Sequence, residues 1–433
     1  MSPAAPAAPS GVPLPGNRWD TLADVWPAEP PLVSVIVAHY RQPDELARTL
    51  AALRRQDHPD DRLQIIVADD GSPEPPAVPD GVELVRQADD GFRLAAVRNL
   101  GARRARGDVL VFLDADTAPE PAFVRELTRL PALAPDCVTV GRRRHADLRD
   151  VDLDRLAESA AERALPEPAW LTDAYRRSGD LLHADDRSYR HVIGAVIACS
   201  RTMFDATGGF DESFTAYGGE DWEWTYRAWL QGAVLAHVPA AIAWHDGPDA
   251  AGRDDGALAH RNAEAIRLAD LIPVAGSAGR GLRSGRVDIA VAPPPDATPG
   301  QRFVSLDSAL AALPAANAAA WPAESATGRG AADAPSDAAF DRVRVSIELL
   351  RPVRVDGEDL AAAIDRLDTE QLGSLTLLGA EGEPLVRLTA TRARAREERW
   401  GRDDLFPRAQ AAAPGIRPLA DEPDVAAYLG GWG

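Results

Sequence analysis

The sequence predicts an α/β fold: a mixed, mainly parallel sheet flanked by helices, followed by a smaller C-terminal α/β domain. Three observations carry this expectation. From Pro31 onward, short β-branched runs alternate with helical stretches, the order that builds parallel sheets through right-handed crossovers. The runs are apolar throughout, with none of the in-out alternation of a half-solvated strand, as inner strands covered on both faces are. Each run also ends in polar residues, at Tyr40, Asp70 and Asp116, and ligands of open α/β sheets bind at strand C-termini.

The elements follow in order. "LVSVIVAHY" is too short for a helix and reads as an inner strand. In "PDELARTLAALRRQ", Leu46, Leu50 and Leu53 fall at i, i+4 and i+7 and make one helical stripe. "LQIIVADDGS" is a second strand running into a turn, and "GVELVRQ" a candidate third. "LAAVRNLGARRAR" reads as a helix and "DVLVFLDAD" as a further inner strand. Thr117 and Glu120 have the spacing of a capping box for the helix "APEPAFVRELTRL", with Pro119 in its first turn. From about Arg142 to Arg190 the chain reads as polar and helical. "HVIGAVIACSR", "GGFDESFTAYGGEDWEWTYRAWLQG" and "AVLAHVPAAIAWHDG" then restore the pattern, and a Gly/Arg-rich stretch closes the unit.

These boundaries give a disordered Pro/Ala-rich tail over 1–30, a main domain over 31–280 and an accessory domain over 281–433. The accessory part opens with an Ala-rich linker, "ALAALPAANAAAWPAESATGRGAADAPSDAA". Its later order of strands and an Arg-rich helix faintly echoes the main domain, so a degenerate second copy competes with a plain α/β accessory domain.

Composition narrows the function. The 433 residues carry 47 Lys+Arg against 67 Asp+Glu, a net charge of -20, and every basic residue other than histidine is arginine. Such an acidic chain is poorly suited to nucleic acid or anionic membrane surfaces. Cys137 and Cys199 fit no zinc spacing and no disulfide framework. No apolar run reaches the roughly 18 residues of a membrane span, and the N-terminus lacks the features of a signal peptide, so the expected location is cytoplasmic.

The chemistry concentrates at the strand ends. "VLVFLDADTAPEP" carries two carboxylates, Asp114 and Asp116, to the end of an inner strand, where they repel one another. Two hard oxygen donors there suit a divalent metal such as Mn²⁺ or Mg²⁺. In "YGGEDWEWTYRAWLQG", Glu220 and Asp221 open a helix that Gly232 can end. Trp222, Tyr226, Trp229 and Leu230 recur at helical spacing and are expected in the core.

With "HYRQPDE", "ADDGSPE", "DDGFRLAAVRNLG", "FLDAD", "GGFDESFTAYGGEDWEW" and "AWHDG" in this order, residues 32–250 resemble the family-2 glycosyltransferases of the GT-A fold. The similarity leans toward bacterial chondroitin-type polymerases, with a later half similar to β-1,4-galactosyltransferases. The resemblance implies a metal-dependent inverting transfer of a sugar from a UDP-sugar to a glycan, peptide or small-molecule hydroxyl. It makes Asp116 a metal ligand and places Asp114 on the ribose, or on the metal through water. His245 becomes the third ligand, with Asp246 orienting it and His237 the competing imidazole.

The same resemblance gives Asp70 to the uracil imide and sets His39, Tyr40, Arg93 and Ala115 against the donor nucleotide. Asn99 and Arg98 would support that loop, surface helix charge being the competing interpretation of Arg98. Asp221 is implied as catalytic base and Glu220 as a ligand of acceptor or donor sugar, with Trp224 or Tyr217 stacking on a sugar ring. A helix N-terminus lowers a carboxylate pKa while burial raises it, so two effects oppose at Asp221. The C-terminal domain would hold the acceptor or mediate a homodimer. Two other functions compete: a nucleotidyltransferase of related topology, against which the glycine-free "HYRQPDE" speaks, and a non-catalytic sugar-nucleotide binder.

Overall fold

The computed structural model describes residues 9–248, 257–282, 284–313, 318–320 and 337–431. The chain forms two compact units, Met1–Ala265 and Ile266–Gly433.

In the first unit, nine described strands form one sheet. They are β1 (Val33–His39), β2 (Leu63–Asp69), β3 (Val82–Arg86), β4 (Val109–Asp114), β5 (Thr117–Pro119), β6 (Cys137–Ala146), β7 (Ala164–Leu165), β8 (Val196–Ser200) and β9 (Val234–Asp246). The order across the sheet is β3-β2-β1-β4-β8-β6-β9-β5, with β7 against β6. β1 is parallel to β2 and β4, and β6 to β9, whereas β8 and β5 run against their neighbours. The mixed, mainly parallel sheet expected from the sequence is therefore present.

The helices of this unit are α1 (Pro43–Leu53), α2 (Leu94–Arg104), α3 (Phe123–Leu133), α4 (Leu156–Ala161), α5 (Ala169–Ser178), α6 (Arg201–Thr207), α7 (Glu220–Leu230) and α8 (Ala257–Leu271), the last belonging to it as far as Ala265. β1 is buried along its whole length because β2 and β4 flank it and helices cover its faces. α1 begins with proline, whose missing N–H costs nothing in a first turn, and buries Leu46, Leu50 and Leu53 as their spacing requires. α2 lies close to β1: a Cβ at Gly101 would meet Ile36 Cγ2 at 2.4 Å. That approach buries Ala95 through Asn99, so α2 has no clean polar face.

Four sequence expectations are corrected here. Residues 1–8 lie outside the described residues, but 9–30 are packed and not a disordered tail. Leu14 and Leu22 are buried, and the Asn17 side chain donates to the carbonyls of Leu181 and Leu235 at 2.7 and 2.9 Å. Thr117 and Pro119 do not start a helix; they form β5, pairing antiparallel with β9, and α3 begins only at Phe123. Proline is tolerated there because β5 is an edge strand, and Glu120 accepts a hydrogen bond from Trp244 Nε1 instead of closing a capping box. Residues 142–146, read as part of a polar helical stretch, continue β6 beside β9.

The fourth correction concerns the second unit. Six of its eight described strands form one sheet in the order Ala318–Ala320, Ile289–Ala292, Val345–Leu349, Pro384–Ala390, Ser374–Leu378 and Arg408–Ala412, and Val353–Val355 pairs with Ile416–Pro418 in a second. Pro384–Ala390 is antiparallel to both of its neighbours, so the unit does not repeat the all-parallel β3-β2-β1-β4 order. It is a smaller α/β sheet around Val345, Ile347, Leu375 and Leu388. Of the predicted linker, 314–317 and 321–336 lie outside the described residues, whereas Ala309–Ala311 end the helix Pro299–Ala311.

Candidate active site

The sheet brings distant acids and an imidazole to one end. After β4 the chain turns at Ala115–Asp116 and leaves the centre of the sheet for its far edge, where β5 sets Thr117 opposite His245. The Asp246 N–H donates to the Asp116 carbonyl at 2.8 Å and locks this junction. His245 Nε2 consequently stands 3.5 Å from Asp116 Oδ2.

His245 Nδ1 lies 3.3 Å from the Gly247 carbonyl, which can only accept, so the ring hydrogen belongs on Nδ1. In the neutral ring the Nε2 lone pair then faces a carboxylate oxygen: two acceptors confront one another, and a cation between them resolves the conflict. Two metal–ligand bonds of about 2.1 Å can span the separation, and an imidazole with a carboxylate suits a first-row dication. Among the described residues no cluster of three or more His, Cys, Asp or Glu is arranged around a metal position. A cation here would take its remaining ligands from outside the protein, as a diphosphate provides them. Burial raises the Asp116 pKa, against the pull of His245; Gln42 Nε2 also donates to Asp116 Oδ2 at 3.2 Å.

Asp246 does not orient His245. Its carboxylate takes Arg48 Nη1 at 2.7 Å and the Leu148 N–H at 2.9 Å, and the Gly247 carbonyl holds the imidazole in its place. His237 belongs to the other end of β9, stacked on Tyr175 at 3.6 Å and bonded to Asp180 at 2.7 Å, so it does not compete for the metal position.

Asp114 points to a different partner. Arg98, only 1% exposed, donates to Asp114 Oδ1 through Nη2 and to Glu220 Oε1 through Nη1, both at 2.8 Å. Burial alone would lower the guanidinium pKa, but the carboxylates around it more than reverse that. Arg98 is thus no surface charge; it ties the end of β4 to the start of α7. A Cβ at Gly194 would lie 2.9 Å from Arg98 Nη1 and 3.1 Å from the Asp221 Cβ, so Asp221 stands at the same spot. Asp114, Asp116, His245, Glu220 and Asp221 are therefore gathered at one end of one sheet.

The turn into α7 needs its glycines. Gly218 and Gly219 have φ of +95° and +90°, the left-handed region that only glycine enters without strain. They bring Glu220 inward, 4% exposed, where burial first and then the charge of Asp221 push its pKa up to about 7 despite Arg98. Asp221 accepts the Gly194 N–H on Oδ2 at 2.7 Å and the Trp222 N–H on Oδ1 at 2.8 Å. Of the two opposing effects foreseen there, burial prevails: the Asp221 pKa is raised although both amides pull it down.

At the end of β2, Asp70 accepts from Gln87 Nε2 at 2.5 Å and from the Arg93 N–H at 2.9 Å, which fastens the turn before α2. The Tyr40 hydroxyl faces Asp89 at 3.3 Å, and the Arg93 side chain pairs with exposed Asp90 at 2.9 Å. Three predicted donor residues are internal instead. His39 spends Nδ1 on Asp69 at 2.8 Å and Nε2 on the Gln42 N–H at 3.2 Å. The Asn99 amide spans Phe210 N and O. Ala115 is buried, its carbonyl held by Thr49 Oγ1 at 2.7 Å. Trp224 is fully buried with Nε1 on Thr207, so it cannot stack on a sugar; Tyr217, 59% exposed, meets Phe92 edge-on at 5.9 Å.

Residues 34–204 match glycosyl transferase family 2, and residues 183–244 match the family described as the N-terminal domain of galactosyltransferase. The matched segment belongs to glycosyl transferase family 2. Over 265 residues the sequence is 30% identical to the chondroitin synthase of Escherichia coli, covering 56% of the chain and 38% of that protein. The hyaluronan synthase of Pasteurella multocida is 29% identical over 50% of the chain and 24% of its own length. A validoxylamine A glucosyltransferase from Streptomyces hygroscopicus subsp. limoneus is 31% identical, covering 47% of the chain and 49% of its own length. The chain thus spans between about a quarter and a half of these relatives. Among solved structures, GalNAc-T7 with UDP, GalNAc and Mn²⁺ aligns at 19% identity and TM-score 0.38, over 51% of this chain and 44% of that one. No described helix is long and apolar enough to cross a membrane.

Proposed function

We propose that the first unit is a metal-dependent inverting glycosyltransferase that moves a sugar from a UDP-sugar to an acceptor hydroxyl by single displacement. The observation that carries this reading is Arg98 joining Asp114 to Glu220, two residues in sequence from Asp116 of the Asp116–His245 pair and one from Asp221. Asp116 and His245 would hold the Mn²⁺ or Mg²⁺, which when bound neutralises the charge of a departing diphosphate. Asp70, just after β2, and Arg93, just before α2, suit the uracil and the phosphates, Asp70 through exchange of its Gln87 contact.

Asp221 acts as general base. Two backbone amides fix its carboxylate, and each oxygen keeps a lone pair for the proton of an acceptor hydroxyl. Its raised pKa makes it a stronger base than an ordinary aspartate. Glu220, held by Arg98 through one oxygen, keeps the other for the bound sugar. Direct attack by the acceptor oxygen on the anomeric carbon inverts its configuration, with no covalent enzyme intermediate. The acceptor is a glycan, peptide or small natural product.

The test is UDP release from a panel of UDP-sugars, with and without Mn²⁺ and acceptors. Asp221→Asn should bind UDP as the parent does and lose about 10²–10⁴ in kcat, the usual contribution of a general base; Asp116→Ala should weaken Mn²⁺–UDP binding as well. Turnover that ignores Mn²⁺, or an Asp221→Asn variant with parental kcat, would refute the proposal.

A further inference from the structure

The acceptor side carries more negative charge than a base and its partner require. Glu264, on α8 and outside both matched family segments, lies over the glycine turn: a Cβ at Gly218 would stand 2.9 Å from its carboxyl carbon. Burial and the charge of Glu220 both raise the Glu264 pKa, and Glu264 in turn raises that of Asp221, so the three acids are near neighbours. Arg98 is shared by Asp114 and Glu220, and backbone amides alone are bonded to Asp221. An independent sign of a missing ligand is Glu220 itself. It is 4% exposed, one oxygen is on Arg98, and Oε2 is buried with no hydrogen-bond partner. A buried carboxylate oxygen without a donor is costly and calls for one.

The residue after Asp221 belongs to an aromatic pair. Trp222 follows Asp221 in α7, and its ring meets that of Trp170 from α5 edge-on at 6.4 Å, with Trp170 46% exposed. Indole faces attract cations and cover the apolar faces of rings.

We propose that Glu264 and the unbonded Oε2 of Glu220 form an acceptor subsite for a sugar ring bearing a protonated amine. A hydroxyl could fill a hydrogen-bonding position here but would leave the carboxylates uncompensated; an ammonium group donates up to three N–H bonds and cancels a charge. This inference rests on the transferase reading for the word acceptor, but its test reads binding without turnover.

The experiment is calorimetric titration of the full chain, saturated with UDP and Mn²⁺, with methyl glucosides carrying a free amine at C2, C3 or C6, each beside its N-acetylated counterpart. At least one free amine should bind tenfold or more tightly than its N-acetyl partner. Glu264→Gln should cut that ratio below threefold, and Glu264→Asp, which keeps the charge, should retain most of it. No amine preference at any position, or a preference unchanged in Glu264→Gln, overturns the proposal. Failure of UDP-sugar turnover with an intact preference would overturn the transferase reading alone.

Discussion

Replacing Arg98 by methionine tests the joint on which the site depends. Methionine keeps the contact with the Phe210 ring, 5.5 Å from the guanidinium, and removes both charged bonds, each 2.8 Å long. Glu220 and Asp114 are then left without their cation. Removing one partner of a buried ion pair costs about 3–5 kcal/mol. The Asp114 side chain is 31% exposed and water can reach it, which puts the expected loss near the lower end, about 3 kcal/mol.

The loss should depend on pH in a definite direction. Glu220 has a folded-state pKa of about 7, above its unfolded value, so the folded state binds the proton more tightly and stability falls as pH rises from about 4.5 through 7. Without Arg98 that pKa rises further, so the deficit against the parent is full at pH 8 and shrinks at pH 5.5, where Glu220 is protonated. Urea denaturation followed by tryptophan fluorescence measures both values. Arg103→Met is the control, an exposed arginine 3.3 Å from exposed Glu212 whose pair is worth under about 1 kcal/mol. An Arg98→Met variant no weaker than Arg103→Met, or a deficit that grows as pH falls, would refute the reasoning.

Three further outcomes are expected. The kcat/KM of UDP-sugar transfer should fall on the acid side with an apparent pKa well above the ordinary carboxylate range, because Asp221 and Glu220 are both raised and titrate as a coupled set; an acid limb near 4 would contradict this. Gly218→Ala should destabilise by about 1–3 kcal/mol, since φ is +95° and the new methyl would press on Glu264, in contrast to the gain such a change gives at ordinary φ; a raised Tm would count against it. Asn17→Ala should cost about 1–3 kcal/mol by stranding the buried carbonyls of Leu181 and Leu235, whereas a floppy N-terminal segment would show no change.

The strands and the two aspartates at the end of β4 were legible because a buried strand ending in charge breaks a simple pattern. Leu46, Leu50 and Leu53 likewise declared the buried face of α1 by spacing alone. Arg98 was not legible. α2 is buried nearly all round, so its arginine has no polar stripe to stand apart from, and its partners come from residues 16 and 122 positions away. Arg142–Arg144 looked like a solvated helix for a related reason: their place in β6 is set by pairing with β9, roughly a hundred residues later in the chain. The capping box at Thr117 failed because a local pattern competed with a strand pairing and lost. Asn17, among prolines and alanines, gave no periodic signal for the three backbone groups it satisfies. Glu264 sits in a helix beyond the motif, and only the fold lays it over Gly218.

The most direct measurement of the account is a crystal of the chain grown with UDP and Mn²⁺, with anomalous data collected near the manganese edge. The account predicts a peak within bonding distance of both Asp116 Oδ2 and His245 Nε2, with the diphosphate completing the coordination. A Mn²⁺–UDP complex bound away from those two atoms would contradict it.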